Sequence, residues 1–520
     1  MLTVTDLLEK HRRLQRHAPM EGHGPQEGPG QLEEHVPPED HAPLDTSGRS
    51  DRLAIIEGAS GEGVTWAEVA DQAERWADSG LEGPVGLALA DPVAMATNFC
   101  AALAAGVVVA PLDPGSPGPD IEARVAALGL RSLVIGPDMT HPGDIEAWTA
   151  GRRELTRRGG SRRPGAVLPD RPDGVSALMA SSGTTGAPKI VPLTEAQLLL
   201  TAQGVARELG LDAGERGYSP LPLFHINGLV VGVLSALVAG STIIVDDHFS
   251  RRSFWSTVQR RGATWLNLVP AILSILGSVT RPSPHAGRVR LARSASAPLP
   301  EAVRERFEAA TGIAVVETYG MTEAASQITA NPLGDVRPGS VGRPVDVELR
   351  VVGDRVQIRG ERVTPVYWSF EDHHWTSRPA GGPDGWLDTG DLGRVDDAGY
   401  VHLVGRDGDV INRGGEKVQP REVEDVLLGD CRVAAAVVVA RPHPTVGEEP
   451  VAYVLPAPDA DIDADTLAAD LLERCRSHLS RFKHPAEVLV ARSLPAGPTG
   501  KVKRALVPSL ATLSTQPPTH

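Results

Sequence analysis

Cysteine is scarce. Cys100, Cys431 and Cys475 are the three in 520 residues, far apart and without a CxxC pair. That excludes a disulfide scaffold and a thiolate zinc site, and it fits a reducing compartment. Aromatic residues are only 4% of the chain, and 51 basic residues face 66 acidic ones for a net charge of −15. A sequence-independent nucleic-acid binder needs a basic face, so no nucleic-acid partner is expected. One local run goes the other way: Arg152, Arg153, Arg157, Arg158, Arg162 and Arg163. With Gly159, Gly160 and Pro164 around it, that run reads as a solvated connection rather than a binding patch. The first residues, MLTVTDLLEKHRRLQRH, lack the signal-peptide order of basic segment, apolar run and cleavage site. The nearest approach to a membrane-length run is Ile226 to Val245, and Asn227, Ser235, Gly240 and Ser241 interrupt it. It reads as a buried helix that stops at Gly240, followed by a buried strand, Thr242 to Val245. The expectation is a soluble cytoplasmic protein with no membrane span. There is also no GxxxxGK[ST] phosphate loop, and no nucleophile–base pair stands out.

Against these absences stands a chain long enough for roughly two to four domains and a large core. Residues 1–16 read as an amphipathic helix, with Leu2, Leu7, Leu8 and Leu14 loosely on one side. Residues 17–50 are Pro, Gly, Glu and His with hardly an apolar residue, the composition of a disordered insertion. Its histidines, His17, His23, His35 and His41, are too irregularly spaced for a metal tract. From Arg52 strand-like and helical patterns alternate, with a capping box at Thr65 and Glu68 opening a helix. Alternation of this kind predicts an α/β fold, its parallel or mixed sheets covered on both faces by helices. Residues 339–405 turn β-rich. A boundary falls near residues 406–409, separating a large domain, 51–407, from a small α+β domain, 408–520.

The stretch Met179 to Thr194, MASSGTTGAPKIVPLT, carries the strongest chemical signal. Ser181 to Lys189 are all small, hydroxylated, Gly, Pro or cationic, and the apolar run Ser176 to Ala180 feeds into them like the end of a strand. Such a loop offers backbone N–H groups, hydroxyls and a Lys to phosphate oxygens without bulk. Four more clusters accompany it. Glu317-Thr318-Tyr319-Gly320-Met321-Thr322-Glu323 follows a strand and combines an aromatic face, a hydroxyl and a carboxylate. Trp386 to Asp391 ends in a carboxylate suited to a ribose diol, and Gly405-Arg406 follows at a plausible distance. Asn412-Arg413-Gly414-Gly415-Glu416-Lys417 is a Gly-rich turn before Pro420, which opens a helix. Pro498-Thr499-Gly500-Lys501 presents a Lys on a loop.

In this order and spacing the clusters closely resemble the adenylate-forming superfamily of acyl-CoA synthetases, luciferases and stand-alone adenylation enzymes. The resemblance covers about residues 52 to 506. PLFHINGL (Pro222 to Leu229), ETYGMTEAASQITANPL (Glu317 to Leu333) and INRGGEKVQPREVE (Ile411 to Glu424) are most similar to the acyl-CoA ligase branch near oxalate–CoA ligases. The resemblance implies a large N-terminal domain of stacked mixed sheets plus a β-rich subdomain, followed by a small mobile C-terminal domain. It implies that ATP, Mg²⁺ and CoA are used, and that a carboxylic acid becomes an acyl-adenylate, then an acyl-CoA. Ser181, Ser182, Gly183, Thr184, Thr185, Gly186 and Lys189 would wrap the β- and γ-phosphates. Tyr319 would pack on adenine beside Ser296 and Ala297. Asp391 and Arg406 would hold the ribose, Thr322 the α-phosphate and Glu323 the metal. His225 would stand at the acid pocket, whose walls would include Asn227, Gly228, Ser294, Gly320 and Gln327. These side chains are small or polar and suggest a short or polar acid. Lys501 would reach in from the small domain for adenylation. Gly414, Gly415, Glu416 and Lys417 would line a CoA tunnel in a second pose.

Two positions depart from the family pattern. Ile190 stands where Gly usually follows the loop Lys, and Gly408 occupies a hinge position that is usually Lys or Asp. Two alternatives stay open on the sequence. The acceptor of the activated group is CoA, or else a carrier-protein phosphopantetheine, an amine or another nucleophile. A non-catalytic nucleotide-binding relative would carry the same motifs without the chemistry.

Overall fold

In the computed structural model, residues 2–16, 52–140, 145–160, 174–181, 189–278, 288–457, 463–495, 497 and 502–510 are described. The expected insertion 17–50 lies outside them. Two nine-stranded sheets carry the large part of the chain. In the first, strands Arg216–Ser219, Trp265–Leu268, Leu291–Ser294 and Val315–Tyr319 run parallel, in that neighbour order. In the second, Val85–Ala88 lies parallel to Val109–Pro111, and Val175–Ser181 pairs antiparallel with Lys189–Thr194. Val85–Ala88 and Val109–Pro111 read as continuous apolar runs, whereas Arg216, Asn267, Arg293 and Glu317 interrupt the parallel strands of the first sheet. The main core lies between the sheets and takes in helix Pro92–Ala104, buried from Pro92 to Leu103, helix Glu195–Glu208 and residues 227–239. Among the described residues no helix is long and apolar enough to cross a membrane.

Local rules account for much of this. Thr65 and Glu68 form the expected capping box, and Thr194 with Gln197 forms a second one. The Ile226 to Val245 run divides as its interrupting residues predict. Gly240 ends the helical part in the left-handed conformation, and strand Thr242–Val245 follows. The winding within that helix differs from expectation. Asn227–Leu234 is π-helical and only Ser235–Ala239 is α-helical. Such widened turns concentrate at functional sites.

The arginine run is a correction. Strands Glu146–Ala150 and Leu155–Gly159 form a hairpin there, and Arg152 sits in its turn, bonded to Asp91, Glu57 and Glu62. Arg153 pairs with Glu68, and Arg157 with the buried Glu146. Carboxylates pair with Arg152, Arg153 and Arg157 and tie the hairpin down, so the run is not a loose connection, while Arg153, Arg157 and Arg158 are solvent-exposed as expected. Arg162 and Arg163 lie outside the described residues.

Residues 348–406 add a four-stranded sheet, and 411–490 a five-stranded one with its own core of Ile411, Val423, Leu427, Val454 and Leu471. This last body leans on the large one through few contacts. Ser274 Oγ donates to the Ala434 carbonyl at 2.8 Å, Arg306 to that of Leu428 at 2.9 Å, and Arg421 to that of Leu403 at 2.7 Å. Ile190 is buried in the strand after the phosphate-like loop, paired with Trp368 of strand Val366–Glu371. The core it shares with Trp368, Leu178 and Ile121 takes up the side chain that a Gly would lack.

Candidate active site

A cavity of about 910 Å³ opens where the parallel strands of the first sheet end and the smaller body leans over them. Strand ends of this kind collect ligands because successive crossovers leave a crevice there. Lys189, His225, Asn227, Ser296, Ala297, Tyr319, Gly320, Thr322, Glu323, Asp391, Arg406 and Gly408 all line it. Ser294, Gln327 and Gly228 are buried and are not among the residues that line it. Ser182, Gly183, Thr184, Thr185, Gly186 and Lys501 lie outside the described residues. Ser181 is described only as the last residue of its strand. Val502 and Arg504, just past Lys501, do line the cavity. Gly414, Gly415, Glu416 and Lys417 do not. They form a hairpin turn whose Gly414 N–H donates to the Val446 carbonyl at 2.7 Å, within the smaller body.

The backbone turns sharply at the strand ends. Ser296, Ala325 and Ser326 have φ of 75°, 48° and 103°, all in the region that L side chains avoid. Strained residues of this sort persist where the surroundings over-determine them, and they cluster at sites. Gly320 is required by close approach: a Cβ there would fall 1.5 Å from the Ser326 carbonyl oxygen.

One wall is a closed set of charge-assisted bonds. Tyr319 Oη donates to Asp391 Oδ2 at 2.6 Å, and Arg406 Nε donates to Asp391 Oδ1 at 2.8 Å. Asp391 and Arg406 face each other across neighbouring strands, so the ladder register itself sets the pair. Burial, reinforced by Asp391, holds the Tyr319 phenol far above its ordinary range, so it stays a donor. Next to it, Tyr367 Oη donates to Glu323 Oε1 at 3.0 Å, and the Lys189 ammonium stands 5.3 Å from the Tyr367 ring centroid.

The other wall is different. His225 packs against Phe224 with ring centroids 4.6 Å apart, and burial pushes its imidazole down to about 4. It is therefore neutral at pH 7. Its Nε2 is buried without a hydrogen-bond partner among the described residues, as are Ser294 Oγ and Gln327 Nε2. Behind Asn227 lies Arg293, which the sequence reading missed. It is 1% exposed, and burial pushes its guanidinium down to about 9. Its signal was present in LARS, a charge inside an otherwise apolar strand. Tyr367 was also missed, and only its rarity as one of five tyrosines marked it.

The hinge candidate has partners on both sides. Asp407 accepts from Arg355 of the large part at 2.6 Å, and Asp409 pairs at 3.3 Å with Arg504 of the smaller body. Between them, a Cβ on Gly408 would meet nothing within 4 Å. Glu424 in turn accepts from both Nη atoms of Arg504, at 2.6 and 3.1 Å.

Known proteins resemble this chain in sequence and fold. A family model described as AMP-binding enzyme matches residues 45–368, and its C-terminal-domain counterpart matches 422–501. The chain is 39% identical over 394 residues to a sulfoacetate–CoA ligase of Cupriavidus necator, covering 73% of this chain and 74% of that protein. It is 35% identical over 358 residues to an oxalate–CoA ligase of Arabidopsis thaliana, covering 65% and 68%. Among solved structures, ATP-bound MatB from Rhodopseudomonas palustris superposes with a TM-score of 0.76 at 27% identity, covering 90% of this chain and 97% of that one.

Proposed function

Because the chain belongs to the AMP-binding enzyme family and is an AMP-forming acid–CoA ligase, we propose that its cavity holds ATP on the Tyr319–Asp391–Arg406 wall and a short, polar carboxylic acid on the His225–Asn227 wall. The enzyme joins the acid to the α-phosphate of ATP, releasing pyrophosphate, and then passes the acyl group to the CoA thiol, releasing AMP. The first step brings two anions together, so its barrier is chiefly electrostatic, and preorganised cations and amides lower it. No nucleophile from the protein is needed.

The roles follow from chemistry. Adenine packs on the Tyr319 face beside Ser296 and Ala297, and Asp391, pinned by Tyr319 and Arg406, accepts from the ribose hydroxyls. The Ser181 to Lys189 loop, with Ser182, Gly183, Thr184, Thr185 and Gly186, wraps the β- and γ-phosphates. Thr322 donates to the α-phosphate. Glu323 fits Mg²⁺: its carboxylate is a hard oxygen donor on the cavity wall, and Tyr367 occupies only Oε1. Among the described residues there is no cluster of three metal-ligating side chains. That pattern suits an ion held by one carboxylate together with phosphates and water. When bound, Mg²⁺ offsets phosphate charge.

Lys501 completes the adenylating arrangement, which the position of Val502 and Arg504 on the cavity wall supports. Thiol transfer then requires that residues 408–520 turn about Gly408 as a mobile domain against 51–407, bringing Gly414, Gly415, Glu416 and Lys417 to the cavity. Arg355–Asp407 and Asp409–Arg504 would anchor the two sides of that pivot. The observation that carries the reading is the Tyr319–Asp391–Arg406 set beside Thr322 and Glu323 at the strand ends. For the acid, the small or polar side chains of His225, Asn227, Gly228, Ser294, Gly320 and Gln327 favour a short one, as do the sulfoacetate and oxalate relatives. A pyrophosphate-release screen over acids, with and without CoA, tests it. Release by short polar acids with acyl-CoA formation is expected, whereas preferential turnover of C12–C16 acids would overturn the short-acid reading.

A further inference from the structure

A buried arginine ordinarily has a carboxylate. The one other arginine buried to this degree among the described residues is Arg362, and it has Asp346. Arg293 has none among the described residues. Its partners are three neutral amide oxygens: Asn267 Oδ1 at 3.1 Å, Asn227 Oδ1 at 3.2 Å and Gln327 Oε1 at 3.4 Å. A fully buried, unbalanced guanidinium is costly to keep, and apolar side chains would fill the space at less expense. Its strand position dictates the cluster, since Arg293 faces Asn267 across the parallel pair Trp265–Leu268 and Leu291–Ser294.

The amides transmit the charge to the cavity. A guanidinium only donates, so all three amides must turn their oxygens toward it and their NH₂ groups away. Asn227 Nδ2 consequently faces the cavity wall, where it donates to Ser296 Oγ at 3.1 Å. Among the described residues, His225 Nε2 on the same wall and Gln327 Nε2 on the Arg293 cluster have no hydrogen-bond partner. This side of the cavity is rich in donors, with a buried guanidinium behind them. Among the described residues, no carboxylate bonds to any of these groups.

We infer that Arg293 makes the acid pocket selective for acids bearing a second anionic group besides the reacting carboxylate, which would dock against Asn227 and be balanced by Arg293 one amide away. The inference rests on the acid–CoA ligase reading and on the cavity being where the acid binds. Arg293 is a positioning and specificity residue, one layer removed from the reacting atoms. Deleting it should therefore act on KM for such acids, with a smaller effect on kcat.

The test compares oxalate, malonate and succinate with their monoamides, in which a neutral group of nearly the same shape replaces one carboxylate. Pyrophosphate release is measured for the full-length enzyme, Arg293→Lys and Arg293→Met. The native enzyme should favour the best diacid over its monoamide by about a hundredfold in kcat/KM. Arg293→Met should abolish that preference by raising KM for the diacid while leaving the monoamide largely unaffected, and Arg293→Lys should restore part of it. Equal loss on diacid and monoamide would make Arg293 a scaffold residue and overturn the inference. If Arg293→Met does not fold, the native diacid-to-monoamide ratio decides alone. A monoamide used as well as its diacid overturns the inference and leaves the short-acid ligase intact, whereas turnover of long-chain acids alone overturns both.

Discussion

The two walls of the cavity treat charge in opposite ways. On the proposed nucleotide wall the carboxylates already have donors: Asp391 holds Tyr319 and Arg406, and Glu323 holds Tyr367. Behind the proposed acid wall a buried cation is held, among the described residues, by neutral amides alone, and His225 and Gln327 keep polar atoms without partners among them. A wall that is satisfied by itself is preorganised and generic. It presents the same surface to ATP whatever acid is used. A wall that is incomplete by itself is completed by its ligand, and specificity resides there, because a ligand lacking the complementary group leaves buried polar atoms unpaired.

The largest expected effect comes from outside both walls. Lys501→Ala should lower adenylation by about a thousandfold, since it removes a cation from the place where charge develops. A preformed acyl-adenylate should still be thiolated at close to the normal rate. Equal loss of both half-reactions would mean that one pose serves both, against the rotation about Gly408. Next is Asp391→Ala, which strands Tyr319 Oη and Arg406 together. KM for ATP should rise by about a hundredfold with KM for the acid little changed. His225→Ala should do the reverse, raising KM for the acid by about thirtyfold and leaving KM for ATP alone. If either variant moved both constants alike, the division into two walls would fail. His225 should also contribute no limb to the pH–rate profile between pH 6 and 9, because its imidazole is held down at about 4.

The satisfied wall was the more legible one in the sequence. Tyr319, Thr322, Glu323, Asp391 and Arg406 stand in contiguous motifs, and each bonds or packs close to its own strand end. Alternating strand and helix signals likewise gave the fold class, because buried parallel strands and capped helices are local patterns. The unsatisfied wall was legible only in part. Its cavity-lining members, His225 and Asn227, lie in one motif, but Arg293, Asn267 and Gln327 meet from three separate strands or loops. Only sheet register brings them together. The ion pairs of Arg152, Arg153 and Arg157 were not legible for the same reason, since their carboxylates come from residues 57–91 and from Glu146. The π-helical winding at 227–234 has no local signal either. Its residues read as an ordinary apolar helix, and the packing of the large core surrounds them.

The smallest expected effect concerns the seam that joins the walls to the smaller body. Glu317, in strand Val315–Tyr319, is 5% exposed, and burial pushes its carboxyl up to about 7 against the opposing pull of Arg421 and Arg304. Asp425 opens onto the same cavity, and burial pushes it up to about 6, with Glu424, Glu422 and Glu301 adding to the rise and Arg421 opposing it. Both carboxyls thus hold their protons more tightly when the bodies are packed than when the seam opens and water returns. Their contribution to packing is fully present below the ordinary carboxylate range and is lost as pH rises through about 6 to 7. Docking of the smaller body, followed by energy transfer between dyes on the two bodies, should weaken by roughly fivefold from pH 5.5 to pH 8, a modest figure because Asp425 is partly screened by the cavity water it faces. Glu317→Gln should flatten most of that dependence while keeping the shape of the seam. An unchanged pH response in that variant would leave Asp425 as the responsible group, and a docking equilibrium that tightens with rising pH would reverse the sign argued here.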